Sequence, residues 1–201
     1  MKLGIISLSY IFPSEAEVLS HFFENGVDFV VIRKPQNLER DIIRLIQEIP
    51  RKHHDKIIVQ DRFSLLKHFK LNGVLLSKKN PQAPVTNKNF TKSVSCSRIE
   101  DVMKYQNFHN IFFGPVFDSI SKDAKSPFGQ TALLEAKEKN IIGERVIAMG
   151  GINEDTIQQA KLIGFKRVAV FGSLWENYPS DEDKDALYAR FDRMMEACKS
   201  S

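Results

Sequence analysis

A single (β/α)8 barrel with parallel strands is the fold this chain predicts, on three observations. Short runs rich in Val, Ile and Phe recur eight times along the sequence. Most are apolar throughout rather than alternating, as strands buried on both faces read. Helical patterns with start and stop signals fill the intervals, and strand–helix alternation repeated this often within one domain fits a closed barrel. A doubly wound open sheet is the rival arrangement of the same elements.

The expected strands are Leu3–Leu8, Phe29–Ile32, Lys56–Val59, Gly73–Leu76, Lys92–Ser95, Asn110–Phe113, Arg145–Ala148 and Arg167–Val170. Between the first two, Ser14-Glu15-Ala16-Glu17 reads as a capping box ahead of Val18, Leu19, Phe22 and Phe23, with Gly26 as the stop. Asn37 is the expected cap of a helix bearing Leu38, Ile42, Leu45, Ile46 and Ile49, which Pro50 ends. Ser97-Arg98-Ile99-Glu100 repeats the box after the fifth strand. Asn153 opens a helix that carries Ile157 and Ala160 and stops at Gly164. Residues 77–89, with Pro81 and Pro84 among polar neighbours, predict a short or missing fourth helix. A charged C-terminal helix over about 181–198 turns Leu187, Tyr188, Phe191, Met194 and Met195 inward.

With 201 residues, no linker and no low-complexity tract, residues 1–201 read as one domain. The net charge of +4 is spread along the chain with no Lys/Arg stripe interleaved with aromatics, so no nucleic-acid partner is expected. An anionic small-molecule ligand accounts for the same mild excess. Cys96 and Cys198 lie too far apart for a metal or redox spacing. No signal peptide and no apolar run of membrane-spanning length is visible. The expectation is a cytoplasmic protein with reduced cysteines, no membrane partner, and homo-oligomer formation left open.

In such a barrel the active site lies at the carboxyl ends of the strands. The residues there are polar, cationic and glycine-rich: Arg33-Lys34-Pro35, Gln60-Asp61-Arg62, Ser95, Gly150-Gly151-Ile152 and Gly172-Ser173. Strand 6 opens into Gly114-Pro115-Val116-Phe117-Asp118-Ser119-Ile120-Ser121-Lys122, where hydroxyls and an ammonium suit a phosphate or pyrophosphate. Glycine turns after the last two strands let backbone N–H groups approach phosphate oxygens, or simply make tight turns. Arg33 suits a bidentate clamp on an anionic leaving group, or a surface ion pair. Asp61 suits Mg2+ together with substrate phosphates, or an N-cap for a helix bearing Phe63, Leu66 and Phe69. Ser95 suits a ligand oxygen or its own backbone. The five histidines sit in helices or before strands, without a positioned partner, and read as packing or surface residues.

Taken together, Ile32-Arg33, Gln60-Asp61-Arg62, Ser93-Val94-Ser95, the nine-residue loop 114–122, Ala148-Met149-Gly150-Gly151-Ile152 and Val168-Ala169-Val170-Phe171-Gly172-Ser173 resemble the thiamine phosphate synthase family, which includes the thiazole tautomerases. The resemblance implies a barrel that joins hydroxymethylpyrimidine pyrophosphate to thiazole phosphate, in thiamine biosynthesis, releasing pyrophosphate with Mg2+ as cofactor. It implies pyrophosphate handling by Arg33, Ser95, Ser119, Ser121 and Lys122, with Gln60 also at the substrate. Asp61 falls on the metal carboxylate, and Gly150, Gly151, Gly172 and Ser173 on the thiazole-phosphate site.

The chain departs from the family pattern in three places. Lys34 and Pro35 stand where an acidic residue and a lysine are usual. Ser77-Lys78-Lys79-Asn80 replaces a stretch carrying a second metal carboxylate, leaving Lys34, Lys78 and Lys79 as candidates to supply charge. Ser119 and Ser121 replace threonines. Two other readings follow: a non-catalytic binder of thiazole or thiamine phosphate, and a tautomerase. The tautomerase branch typically has a histidine where Pro115 stands.

Overall fold

The computed structural model describes residues 1–85, 89–118, 126, 128–180 and 182–200. Eight parallel strands close in sequence order: β1 (Lys2–Ile6), β2 (Phe29–Ile32), β3 (Ile57–Gln60), β4 (Gly73–Leu75), β5 (Thr91–Cys96), β6 (Asn110–Phe113), β7 (Val146–Met149) and β8 (Arg167–Val170). β8 returns to β1 in the register Leu3 with Val168 and Ile5 with Val170, which removes both sheet edges and excludes the open doubly wound sheet. The helices are α1 (Glu15–Glu24), α2 (Glu39–Glu48), α3 (Leu65–His68), α4 (Ile99–Lys104), α5 (Gln130–Glu138), α6 (Glu154–Ile163), α7 (Gly172–Trp175) and α8 (Lys184–Lys199), with a 3-10 turn over Arg51–Lys56. Between β4 and β5 the described residues form no helix, as the two prolines predict.

Alternation along the strands divides the apolar residues into two cores. Phe29, Val31, Ile58, Leu75, Phe112, Ile147 and Ala169 fill the barrel axis, with Ile6 and Met149 against them. Their neighbours Val30, Ile32, Ile57, Val59, Val74, Ile111, Phe113, Val146, Ala148, Val168 and Val170 face the helix layer. Apolar residues on both faces explain why the strands read as continuous runs. At the amino-terminal end Arg167 lies 5.3 Å above the Phe29 ring and donates to Asn110 Oδ1 at 2.6 Å. Asn110 in turn donates to Ser93 Oγ at 3.0 Å, closing the barrel floor with a polar chain.

Three expected helix starts differ from those observed. Ser14 sits at φ 64° and makes no side-chain cap. The two glutamates of that box are held elsewhere, Glu15 by Lys34 and Glu17 by Lys184, each at 2.6 Å. Asn37 lies one residue before the Leu38 position that flanks α2, and its Oδ1 is buried without a partner among the described residues. After β5 the helix begins one residue late, at Ile99, and Arg98 flanks it uncapped by any side chain. Asn153 does cap α6: its side chain accepts from Asp155 N and Thr156 N, the Thr156 hydroxyl accepts from Asn153 N, and Gly164 ends the helix at φ 106°.

The histidines pack as expected. His21 stacks on Tyr188 at 3.7 Å and His53 on Phe23 at 5.1 Å, while His54 Nε2 meets the carbonyls of Ile46 and Ile49. Both cysteines are free and buried.

The axis leaves no room where Gly4 faces Phe29: a Cβ on Gly4 would lie 2.0 Å from the ring. Gly4→Ala is expected to destabilise the fold by about 1–3 kcal/mol through overpacking. Phe29→Leu in the same chain should recover part of that loss in urea titrations. No recovery would place the strain somewhere other than this contact.

Candidate active site at the carboxyl ends of the strands

A cavity of about 1110 Å3 opens at the carboxyl ends of the strands, on the β6–β7–β8–β1–β2 side. Arg33, Gly150, Gly151, Gly172 and Ser173 line it together, so five of the sequence candidates meet at one place. Pro115 and Asp118 of the loop after β6 complete that wall. Arg33 is half-buried and has no ion-pair partner among the described residues, which leaves the surface-pair alternative without a counter-ion. Its N–H donates to Ser7 Oγ at 3.0 Å, fixing the start of the turn after β2 against the end of β1.

Gly150 and Gly151 have positive φ, 83° and 68°. A Cβ on Gly150 would lie 2.6 Å from Pro115 Cα, and one on Gly151 would lie 2.5 Å from Asp118 O. The glycines thus permit the loops after β6 and β7 to touch, which is the tight-turn alternative in a specific form. The carbonyls of this turn go to protein donors: Met149 O accepts from Val116 N, Gly150 O from Phe117 N and Gly151 O from Thr156 Oγ1. Ser173 Oγ donates to Ile152 O, tying the β8 turn to the β7 turn. Trp175 Nε1 donates to Ile6 O at 2.8 Å and seats α7 on the end of β1.

Gln60, Asp61 and Ser95 stand on the β3–β5 side and do not line this cavity. Gln60 and Asp61 are half-buried at the end of β3, and Ser95 is exposed near the end of β5 with no side-chain hydrogen bond to another described residue. Asp61 has φ 59°, and Ser77 donates to its Oδ1 at 2.7 Å. The N-cap alternative for Asp61 does not hold, because α3 begins at Leu65 behind Ser64. Among the described residues no group of three or more His, Cys, Asp or Glu side chains is placed to hold a metal ion.

Ser119, Ser121 and Lys122 lie outside the described residues. On either side of that stretch Asp118 Oδ1 accepts from Ser126 N at 2.6 Å, and Ser126 Oγ donates to Val116 O at 2.8 Å, which joins the two ends of the loop at the cavity.

Lys34 behaves differently from its sequence expectation. It is 2% exposed, and its ammonium is taken up by Glu15, so it supplies no charge to the mouth. Lys78 and Lys79 are exposed on the turn after β4. Sequence reasoning also missed Leu8 and Tyr10 of the β1–α1 segment, together with Arg190 and Arg193 of α8, all of which line the cavity. Arg190 is anchored by Glu182 and by Leu174 O. A signal was present: Arg190 and Arg193 are three apart on a helix, and Arg190 falls between Leu187 and Phe191 on its buried stripe.

An eight-stranded parallel barrel with a large cavity at the carboxyl ends of its strands is the arrangement of the (β/α)8 barrel enzymes. A family model described as thiamine monophosphate synthase matches residues 8–174, and the chain belongs to that family. The crystal structure of a thiamine phosphate pyrophosphorylase from Bacteroides thetaiotaomicron superposes with a TM-score of 0.87 at 30% identity, over 98% of this chain and 97% of that one. A thiamine phosphate pyrophosphorylase from Pyrococcus furiosus shares the fold with a TM-score of 0.73 at 20% identity, over 98% and 95% of the two chains. A thiamine-phosphate synthase from Clostridium tetani is 26% identical over 169 residues, 79% of each chain. No helix among the described residues is long and apolar enough to cross a membrane.

Two predictions follow from this geometry. Gly151→Ala should lose about 1–2 kcal/mol from the left-handed backbone alone, with a further loss from displacing the loop after β6. An unchanged urea midpoint would contradict the contact. The second concerns Glu15, whose carboxyl is pushed up from the ordinary 4.5 to about 7, chiefly by burial and against the pull of Lys34. An acid with a raised folded pKa stabilises the fold below its ordinary value, and that contribution is lost as pH rises through about 7. Glu15→Gln should therefore flatten the decline in Tm between about pH 5 and 8, an effect of up to about 3 kcal/mol. Identical pH profiles for the two proteins would refute it.

Proposed function

We propose that the protein is a transferase of thiamine biosynthesis that joins hydroxymethylpyrimidine pyrophosphate to thiazole phosphate and releases pyrophosphate. The observation that carries this reading is the meeting of Arg33 with the glycine turns after β7 and β8 around one cavity, in a chain of the thiamine monophosphate synthase family. The C–O bond between the pyrimidine methylene and the pyrophosphate breaks, and the electron pair leaves with the pyrophosphate. The thiazole nitrogen then supplies the pair for the new C–N bond. No strong general base is needed, in keeping with a cavity that no histidine lines among the described residues.

Arg33 would clamp the departing pyrophosphate with the fork of its guanidinium, and Ser95, Ser119, Ser121 and Lys122 would share its oxygens. Gln60 would bind substrate from the end of β3. The N–H groups of Gly150, Gly151, Gly172 and Ser173 would hold the thiazole phosphate, the carbonyls of the β7 turn being already engaged by protein donors. Mg2+ typically takes one or two carboxylates completed by substrate phosphates and water: Asp61 would hold it, and the ion would neutralise charge on the leaving group. The binding reading keeps one observation in its favour, since Ser77, rather than a second carboxylate, faces Asp61.

The test is direct. Purified protein given both substrates, with and without Mg2+, should yield thiamine phosphate and pyrophosphate, with more product when the ion is present. No product, with thiazole phosphate still binding in calorimetry, would overturn the transferase and leave the binder. Lys122→Ala should reduce turnover more than it weakens thiazole-phosphate binding; equal losses would show that Lys122 serves both substrates alike.

A further inference from the structure

Arg33 continues the axis-facing series Phe29, Val31, and Lys34 therefore turns away from the mouth, toward the β1–α1 segment, residues 7–14. Its ammonium donates to Leu8 O at 2.8 Å, to Tyr10 O at 2.6 Å and to Glu15 Oε1 at 2.6 Å. An ammonium has three N–H donors, so all of them are used on protein acceptors. Two of those acceptors are main-chain oxygens of a segment that has no helix or strand of its own, and whose Leu8 and Tyr10 line the large cavity. The third is the first residue of α1, with both charged side chains fully buried. Ser7 adds a parallel tie, accepting from Arg33 N and donating its own N–H to Val31 O.

We infer that Lys34 is a positioning residue: it clamps the β1–α1 segment to the end of β2 and so sets the wall that this segment contributes to the substrate cavity. Without the clamp, Leu8 O and Tyr10 O lose the donor that joins them to one point, and the stretch that lines the cavity is left between the Ser7 tie and the buried Phe12, which packs on Trp175 and Tyr178. A wall of this kind acts on substrate fit rather than on the bond-breaking step, because Lys34 itself reaches no reacting atom. The role rests on the transferase reading for its kinetic consequence but not for its structural one.

Lys34→Met alone would strand a buried carboxylate, so the informative variant is Lys34→Met with Glu15→Gln, compared with Glu15→Gln alone. The single variant keeps the ammonium on both carbonyls and offers it an amide oxygen in place of the carboxylate. Hydrogen exchange of peptides covering residues 7–14 should accelerate in the double variant and stay near wild type in Glu15→Gln, at matched fractions folded. The double variant should raise KM by about tenfold with kcat within about threefold of wild type, whereas Glu15→Gln should leave both near their original values. Wild-type exchange over residues 7–14 in a folded double variant would overturn the clamp, as would equal effects of the two variants on KM. Should the protein form no thiamine phosphate at all, the transferase reading falls and the exchange measurement still decides the clamp.

Discussion

Closing eight parallel strands on themselves forces each one to send alternate side chains to the axis and to the helix layer, and the rest of this molecule depends on that alternation. The axis holds Phe29, Val31, Ile58, Leu75, Phe112, Ile147 and Ala169, an apolar plug resting on the Arg167–Asn110–Ser93 chain. Above the plug the same period continues past the strand ends. Arg33 follows Val31, Gln60 follows Ile58, Ser77 follows Leu75, and Ser95 follows Ser93. The polar side chains at that level are thus an extension of the core register to and just past the strand ends. The opposite phase carries Lys34 into the helix layer, where burial obliges it to find three acceptors.

The strands and the barrel were readable in the sequence because each one needs apolar residues on both faces, and that signal survives without knowledge of any neighbour. β2, β6 and β8 begin and end where the apolar runs do, while β1 stops at Ile6, two residues short of its apolar run. There the Ser7 hydroxyl takes the Arg33 N–H and the chain turns toward α1. Helix caps were less readable because Ser, Asn and Glu have several partners to choose from. Glu17 looked like the acidic member of a capping box, yet Lys184, distant in sequence, competes for it and wins. Asn153 met no such competitor and capped as its motif says.

The candidate site was readable to the extent that it follows strand ends. Arg33, Gly150, Gly151, Gly172 and Ser173 sit where counting from the strands puts them, and they share a cavity. The contributions of Leu8, Tyr10, Arg190 and Arg193 come from an irregular segment and from the last helix, whose placement depends on tertiary docking such as Trp175 on Ile6 O. Lys34 is the instructive case. Beside Arg33 it reads as added positive charge, but strand parity alone places it on the other side of the sheet, and a parity count would have separated the two.

The mouth is divided in a way that bears on a reaction between two phosphorylated partners. Glycine turns and helix-borne arginines stand on the β7–β8–β1 side, and Asp61, Ser77 and Ser95 on the β3–β5 side, with Arg33 and the loop after β6 at the two junctions. Two anionic groups repel most strongly when close and poorly solvated, so a site that must hold both gains by keeping their binding groups on opposite walls. On the proposed reading, the reacting carbon and nitrogen would then meet between the walls, over the apolar plug. Joining the walls demands rigidity at the junctions. The contact of Gly150 and Gly151 with the loop after β6 supplies it on one side, and the ties from β1 to β2 through Ser7 and Lys34 supply it on the other. Both junctions are built from main-chain contacts and buried donors, which leaves the exposed side chains of the mouth free to vary without moving its walls.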